Sequence, residues 1–196
     1  GREQVRLVVM DLSETYRQIA RQYFPNAQIV ADRFHVVRLV NHHFLKLWQQ
    51  QDPEGRRHRG LLSLMRRHRW RLRPDQQQSL DRYLAQYPVL KALYFAKQKL
   101  AGFLVIKNVN AKRAKKLLPL FLRLIAQLEQ SPAKALANTL TSWLEPIVRM
   151  WRFSKSNGIT EGFHTKMEMI SRRAYGFRNF ENYRLRVLAQ CGWNGV

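Results

Sequence analysis

The sequence predicts an α+β fold dominated by helices, on three observations. Two short apolar runs rich in β-branched residues, "VRLVVM" (5–10) and "AQIVA" (27–31), read as buried strands with one helix between them. From Asp32 onward the apolar residues recur with the 3.6-residue period of a helix, and no strand signal returns. The chain is also strongly basic, with 35 Lys+Arg against 13 Asp+Glu, yet each predicted strand ends at an aspartate, Asp11 and Asp32.

Taken in order, residues 5–31 make one βαβ unit, whose strands must run parallel with a right-handed crossover. Ser13 is placed to cap the intervening helix, whose apolar face is Tyr16, Ile19, Ala20 and Tyr23 and which must stop before Pro25. After Asp32, the stripe Val37, Val40, Phe44, Leu47 and Trp48 predicts a helix ended by "QQDPEG". A second helix is expected over about 56–71, stopped by "RPD", with Asp75 capping the next. Further helices are expected over about 76–86, 88–106, 110–129 and 132–151, punctuated by Asn110, Ser131 and Pro132 and kinked at Pro119 and Pro146. "SKSNG" reads as a loop. A helix then runs over about 160–174 with Phe163, Met167, Ile170 and Ala174 as its buried stripe, stopped by Tyr175-Gly176, and a last helix begins near Asn179.

Composition narrows the function. At 196 residues, 45% hydrophobic and 11% aromatic, the chain has ample apolar surface to bury, which excludes a disordered polybasic tail. A net charge of +22 calls for a polyanionic partner, nucleic acid before a membrane surface. No apolar run approaches the roughly 20 residues of a spanning helix. The single cysteine, Cys191, excludes a disulfide framework and a cysteine-based zinc site, fits a reducing cytoplasm, and is expected to be an inert thiol.

Against this background the few acids stand out. Asp11 lies at the C-terminal end of a strand, the edge where ligands collect in open α/β sheets, or else it serves the helix entry that Ser13 already caps. Asp32 repeats the placement, and His35 follows at i+3 on the same helix face; the alternatives are a cap and a packed histidine. Glu161 sits in the first turn of its helix, amid Lys155, Lys166, Arg172, Arg173 and Arg178. There it either compensates the helix dipole or holds a metal in a groove meant for phosphate. Carboxylates on rigid elements in so basic a chain suit two-metal phosphoryl transfer, with Mg²⁺ or Mn²⁺ held by a few Asp and Glu. "RRHRGLLSLMRRHRWRLR" interleaves Arg66, Arg67 and Arg69 with Leu61, Leu62, Leu64 and Trp70, a helix whose polar face meets nucleic-acid backbone. "NAKRAKKLL" (110–118) reads the same way.

Two motifs add a family. "VVMDLSETYRQIARQYFPNAQIVADRFHVV" and "SNGITEGFHTKMEMISRRAYGFRNFENYRLRVL" resemble the DDE transposases of the ISL-three group of bacterial insertion sequences. The resemblance covers roughly residues 5–40 and 154–188, and the helical middle matches in character. It implies a partial ribonuclease H-like core over residues 1–35, an all-helical insertion over 36–152, and C-terminal helices of the core over 153–196 carrying the glutamate. Asp11 would be the second acid of a metal-binding triad and Glu161 the third, with Asp32 and His35 as accessory residues. Lys166, Arg172, Arg173 and Arg178 would position DNA.

The first acid of such a triad belongs on an earlier strand. The chain opens at Gly1, directly before the strand of the second acid, and is expected to be a fragment that binds metal weakly and cuts nothing. The implied partners are DNA, as terminal repeats and target, and a second copy of the chain, in a bacterial cytoplasm near the nucleoid. The rival expectation is a non-catalytic basic helical module that binds nucleic acid.

Overall fold

The computed structural model describes residues 1–105, 111–153 and 158–192. The expected Asn110 boundary, Lys155 and most of the "SKSNG" loop lie outside them. The chain divides into two compact units, Gly1–Lys155 and Ser156–Val196.

The first unit opens as the sequence predicts. Strands β1 (Leu7–Met10) and β2 (Gln28–Ala31) pair in parallel, with Val8 opposite Ile29 and Met10 opposite Ala31. Among the described residues these two strands are the whole sheet. Ile29, Val30 and Ala31 are buried, as in a parallel strand covered on both faces, whereas Leu7, Val8 and Val9 are only half-buried. Helix α1 (Glu14–Tyr23) joins them, with the Ser13 hydroxyl accepting from the Tyr16 amide at 3.4 Å.

Its expected apolar face does not go inward. Tyr16, Ile19 and Tyr23 stay exposed and only Ala20 is buried. The helix docks instead through Arg17, which donates to the Ser142 carbonyl (2.9 Å) and lies over the Trp143 ring (4.5 Å).

Helix α2 (Arg33–Gln51) is capped by Asp32 and buries Val36, Val40, Phe44, Leu47 and Trp48 against α6 (Pro88–Val105) and α8 (Ser131–Ser142). Val37, expected in that stripe, is half-buried. The helix predicted over 56–71 is three short pieces: α3 (Pro53–Arg57), α4 (Arg59–Arg66) and a 3-10 turn (Arg69–Arg71). His58 breaks the run because its Nδ1 caps α4, accepting from the Leu61 amide at 3.2 Å. Helix α5 (Pro74–Ala85) starts one residue before Asp75, which is therefore in the first turn, paired to Arg73, rather than the cap.

Helix α7 (Ala111–Ala126) contains Pro119, and the helix expected over 132–151 is split into α8, α9 (Leu144–Val148) and a 3-10 turn (Arg149–Trp151). The reason for the split is local. Pro146 has no amide to give the Ser142 carbonyl, and Arg17 takes that acceptor.

One hydrophobic core joins Met10, Ile29 and Val30 of the sheet to Phe44, Trp48, Leu93, Leu136, Ile147 and Met150 of the helices. Residues on both sides of position 35 share this core.

The second unit is a helix pair, α10 (Gly158–Arg173) and α11 (Phe180–Cys191). Tyr175 (φ 54°) and Gly176 (φ 92°) reverse the chain, and Asn179 caps α11 by accepting from the Glu181 and Asn182 amides. Of the expected α10 stripe, Ile170 is buried, Met167 and Ala174 are half-buried, and Phe163 is exposed. No described helix is long and apolar enough to cross a membrane.

Candidate active site

The parallel register carries the two strand-end acids along in step. Met10 pairs with Ala31, and the Asp32 amide donates to the Met10 carbonyl at 2.7 Å. Their side chains part company there. Asp32 is buried, and its Oδ1 accepts from the Phe34 amide at 2.7 Å, so it starts α2. Asp11 is half-buried and lines a pocket of about 330 Å³ with Leu12, His35, Arg38, Leu39 and His42.

Asp11 and His35 line one pocket, whereas Asp32, expected beside Asp11 on the sheet edge, does not line it. Two neighbours were not anticipated. Arg38 and His42 follow His35 at i+3 and i+7, the spacing that puts three residues on one helix face, and that spacing was the available signal.

Chemically the pocket offers one carboxylate, two imidazoles and a guanidinium. Asp11 suits a hard divalent cation, which prefers carboxylate oxygen, while Arg38 and His42 suit phosphate. Among the described residues no three His, Cys, Asp or Glu side chains gather closely enough to hold a metal ion.

In the second unit Glu161 lies exposed in the first turn of α10. Lys166 and Arg173 line a pocket between α10 and α11 with Thr165, Ile170, Gln190 and Cys191. Arg172 is paired with Glu168 on its own helix at 2.6 Å. Arg178 is exposed beside Phe177, Phe180 and Tyr183.

The basic middle is divided. Arg66 and Arg67 are exposed, whereas Arg69 is half-buried and paired. Both its terminal nitrogens grip Asp81, at 2.7 and 2.6 Å, and its guanidinium lies over Phe95. That pair holds the Asp81 carboxyl below the usual range, so the charge of Arg69 is already answered inside the protein.

Sequence reasoning also missed what holds this segment. Lys97 and Gln98 of α6 are buried. Lys97 donates to the Met65 carbonyl; Gln98 donates to the Arg67 carbonyl at 2.9 Å and accepts from the Arg69 amide at 3.2 Å.

A family described as "Transposase", of the ISL3 type, matches residues 1–187. The transposase for insertion sequence element IS1001 of Bordetella parapertussis is 28% identical over 196 residues, covering 95% of this chain and 48% of that protein. The chain thus spans about half the length of the curated relative it matches. No solved structure matches. With nearly all of its residues inside the family match, the chain belongs to the ISL3 family of transposases.

Proposed function

We propose that this chain is the C-terminal part of the catalytic domain of a DDE transposase and takes part in metal-dependent cleavage and joining of DNA. The observation that carries the reading is the position of Asp11, at the C-terminal end of a parallel strand and in one pocket with His35. In the intact enzyme Asp11 and Glu161 would hold Mg²⁺ or Mn²⁺, and the first acid of the triad would come from outside these 196 residues. Ions of this class, when bound, neutralise charge on the phosphate oxygens of the strand being cut.

The ribonuclease H-like core belongs to the same proposal. Its support is the half-buried state of Leu7, Val8 and Val9 in β1 beside the buried Ile29, Val30 and Ala31 of β2, which leaves room for further strands alongside β1. His35 serves the pocket as an accessory residue. Asp32 acts through it, by fixing the first turn of α2. Arg66, Arg67, Lys166, Arg173 and Arg178 meet the DNA backbone, and Arg172 joins them once Glu168 releases it. The working form is an oligomer of the whole transposase on its terminal repeats.

The test uses the full-length enzyme and DNA that carries the repeats, with Mg²⁺ or Mn²⁺. Asp11→Asn and Glu161→Gln each abolish cleavage while leaving affinity for the same DNA, measured in EDTA, unchanged. Cleavage that survives both substitutions would reduce the protein to a basic binding module.

A further inference from the structure

Four exposed arginines flank one aromatic side chain in the sequence where the predicted helix is broken. Trp70 is 58% exposed, and its indole stacks on the imidazole of His68 with ring centres 4.2 Å apart and planes 14° from parallel. Arg66 at the end of α4, Arg67, Arg71 and Arg73 just before α5 are exposed, and Arg69 is half-buried.

This turn is held, not loose. Lys97 and Gln98 fix the backbone at Met65, Arg67 and Arg69. Gln77 donates to the carbonyls of Arg69 and Leu72, Arg69 is clamped to Asp81, and Leu72 is buried. One edge of the indole rests against Gly102 of α6, where a Cβ would lie 3.9 Å from Trp70 Cζ3. Burial, Arg71 and Lys97 hold the His68 imidazole below its ordinary pKa, which favours the neutral ring against Trp70.

Scattered exposed hydrophobic residues are ordinary; a tryptophan backed by a second ring, mounted on a pinned turn among arginines, is a different arrangement. The arginines select a polyanion. A flat ring with open surface adds a contact that phosphate cannot use and a nucleobase can, provided the base is not already stacked in a duplex.

We propose that Trp70, backed by His68, is a stacking site for an unpaired nucleobase of bound DNA. The exposed arginines of the turn hold the flanking phosphates. The site engages a strand end, a frayed pair or a displaced strand, and it leaves intact duplex to the phosphate contacts alone. It rests on the reading above only in taking DNA as the polyanion, and it makes no use of Asp11, Glu161 or a metal.

Binding in EDTA tests it, with three probes: a short oligothymidylate, an abasic oligomer with the same number of phosphates, and a duplex of the same length. Trp70→Ala weakens oligothymidylate binding roughly tenfold and leaves the abasic and duplex affinities unchanged; Trp70→Phe keeps most of the affinity, since one ring replaces another. Equal losses on the abasic oligomer, or no loss at all, overturn the stacking site while leaving the proposed catalytic role standing. Failure of the unsubstituted chain to bind any probe removes DNA as the partner and both readings with it.

Discussion

Lys97 donates its ammonium to the Met65 carbonyl from inside the core, over the rings of Phe44 (4.7 Å) and Tyr94 (5.3 Å). Desolvation pushes its pKa down from 10.5 to about 8. The charged form is the costly one, so the penalty is fully present below pH 8 and is relieved as pH rises. Between the folded and unfolded values the unfolded chain holds a proton that the folded chain has lost, and stability climbs with pH. Tyr83 and Tyr94 are shifted up, so their contributions are intact below their ordinary value of 10 and do not mask the effect. Urea unfolding followed from pH 8 to 10 should rise by about 2–3 kcal/mol relative to Lys97→Met. Parallel curves for the two proteins would mean that Lys97 titrates as it does in water.

Tyr83 bridges two partners with one hydroxyl. It accepts from the indole of fully buried Trp48 at 2.6 Å and donates to Asp52 at 2.6 Å. Tyr83→Phe strands the Trp48 N–H and should cost about 1–3 kcal/mol, read as a lower unfolding free energy at neutral pH. Asp52 is held below its ordinary 3.8 first by Tyr83 and then by the Gly55 amide. A depressed carboxylate stabilises above that value and loses its contribution as pH falls. The gap between wild type and Tyr83→Phe should therefore narrow in acid, and a constant gap would show that Asp52 gains nothing from the hydroxyl.

Neighbouring arginines separate binding from folding. Arg66→Ala and Arg67→Ala should each reduce the slope of log affinity against log salt by about 0.7–0.9 while leaving the melting temperature alone. Arg69→Ala should instead cost about 1 kcal/mol of stability, because Asp81 loses its partner and the turn its clamp. A melting temperature untouched by Arg69→Ala would return that residue to the DNA-facing set.

At the end of α10, Tyr175 occupies left-handed backbone (φ 54°) while its side chain is fully exposed. Nothing in its packing offsets that conformation, so Tyr175→Gly should stabilise the turn by about 1 kcal/mol, and Gly176→Ala, at φ 92°, should weaken it by a similar amount. The readout is exchange of the Gly176 amide, which is bonded to the Ser171 carbonyl at 2.8 Å. Unchanged protection in both variants would remove backbone strain from the account.

The parts visible in the sequence are those decided within a few residues. Strand, cap and strand over residues 5–31 follow from a β-branched run, Ser13 and Pro25, and the aspartates at the two strand ends follow with them. What sequence reading missed is decided at a distance. The break at 67–71 depends on Gln98, which bonds residues 29 and 31 positions away. Arg69 reads as surface charge until Asp81, 12 residues on, closes over it. Arg17 reads as the polar side of α1, yet its acceptor is the carbonyl of Ser142. Local patterns cannot report such partners.

Strand β2 illustrates the same separation in time. Arg149 donates to the Ile29 carbonyl at 3.1 Å, across 120 residues, and α9 with the turn after it covers the strand. During synthesis, Ile29, Val30 and Ala31 emerge long before Ile147 and Met150 exist to shield them. The newborn βαβ unit must wait, apolar and uncovered, through the making of the helical middle. Non-local closure of this kind is slow, and it leaves the young chain dependent on a chaperone or on its own early helices until the last of the first unit has left the ribosome.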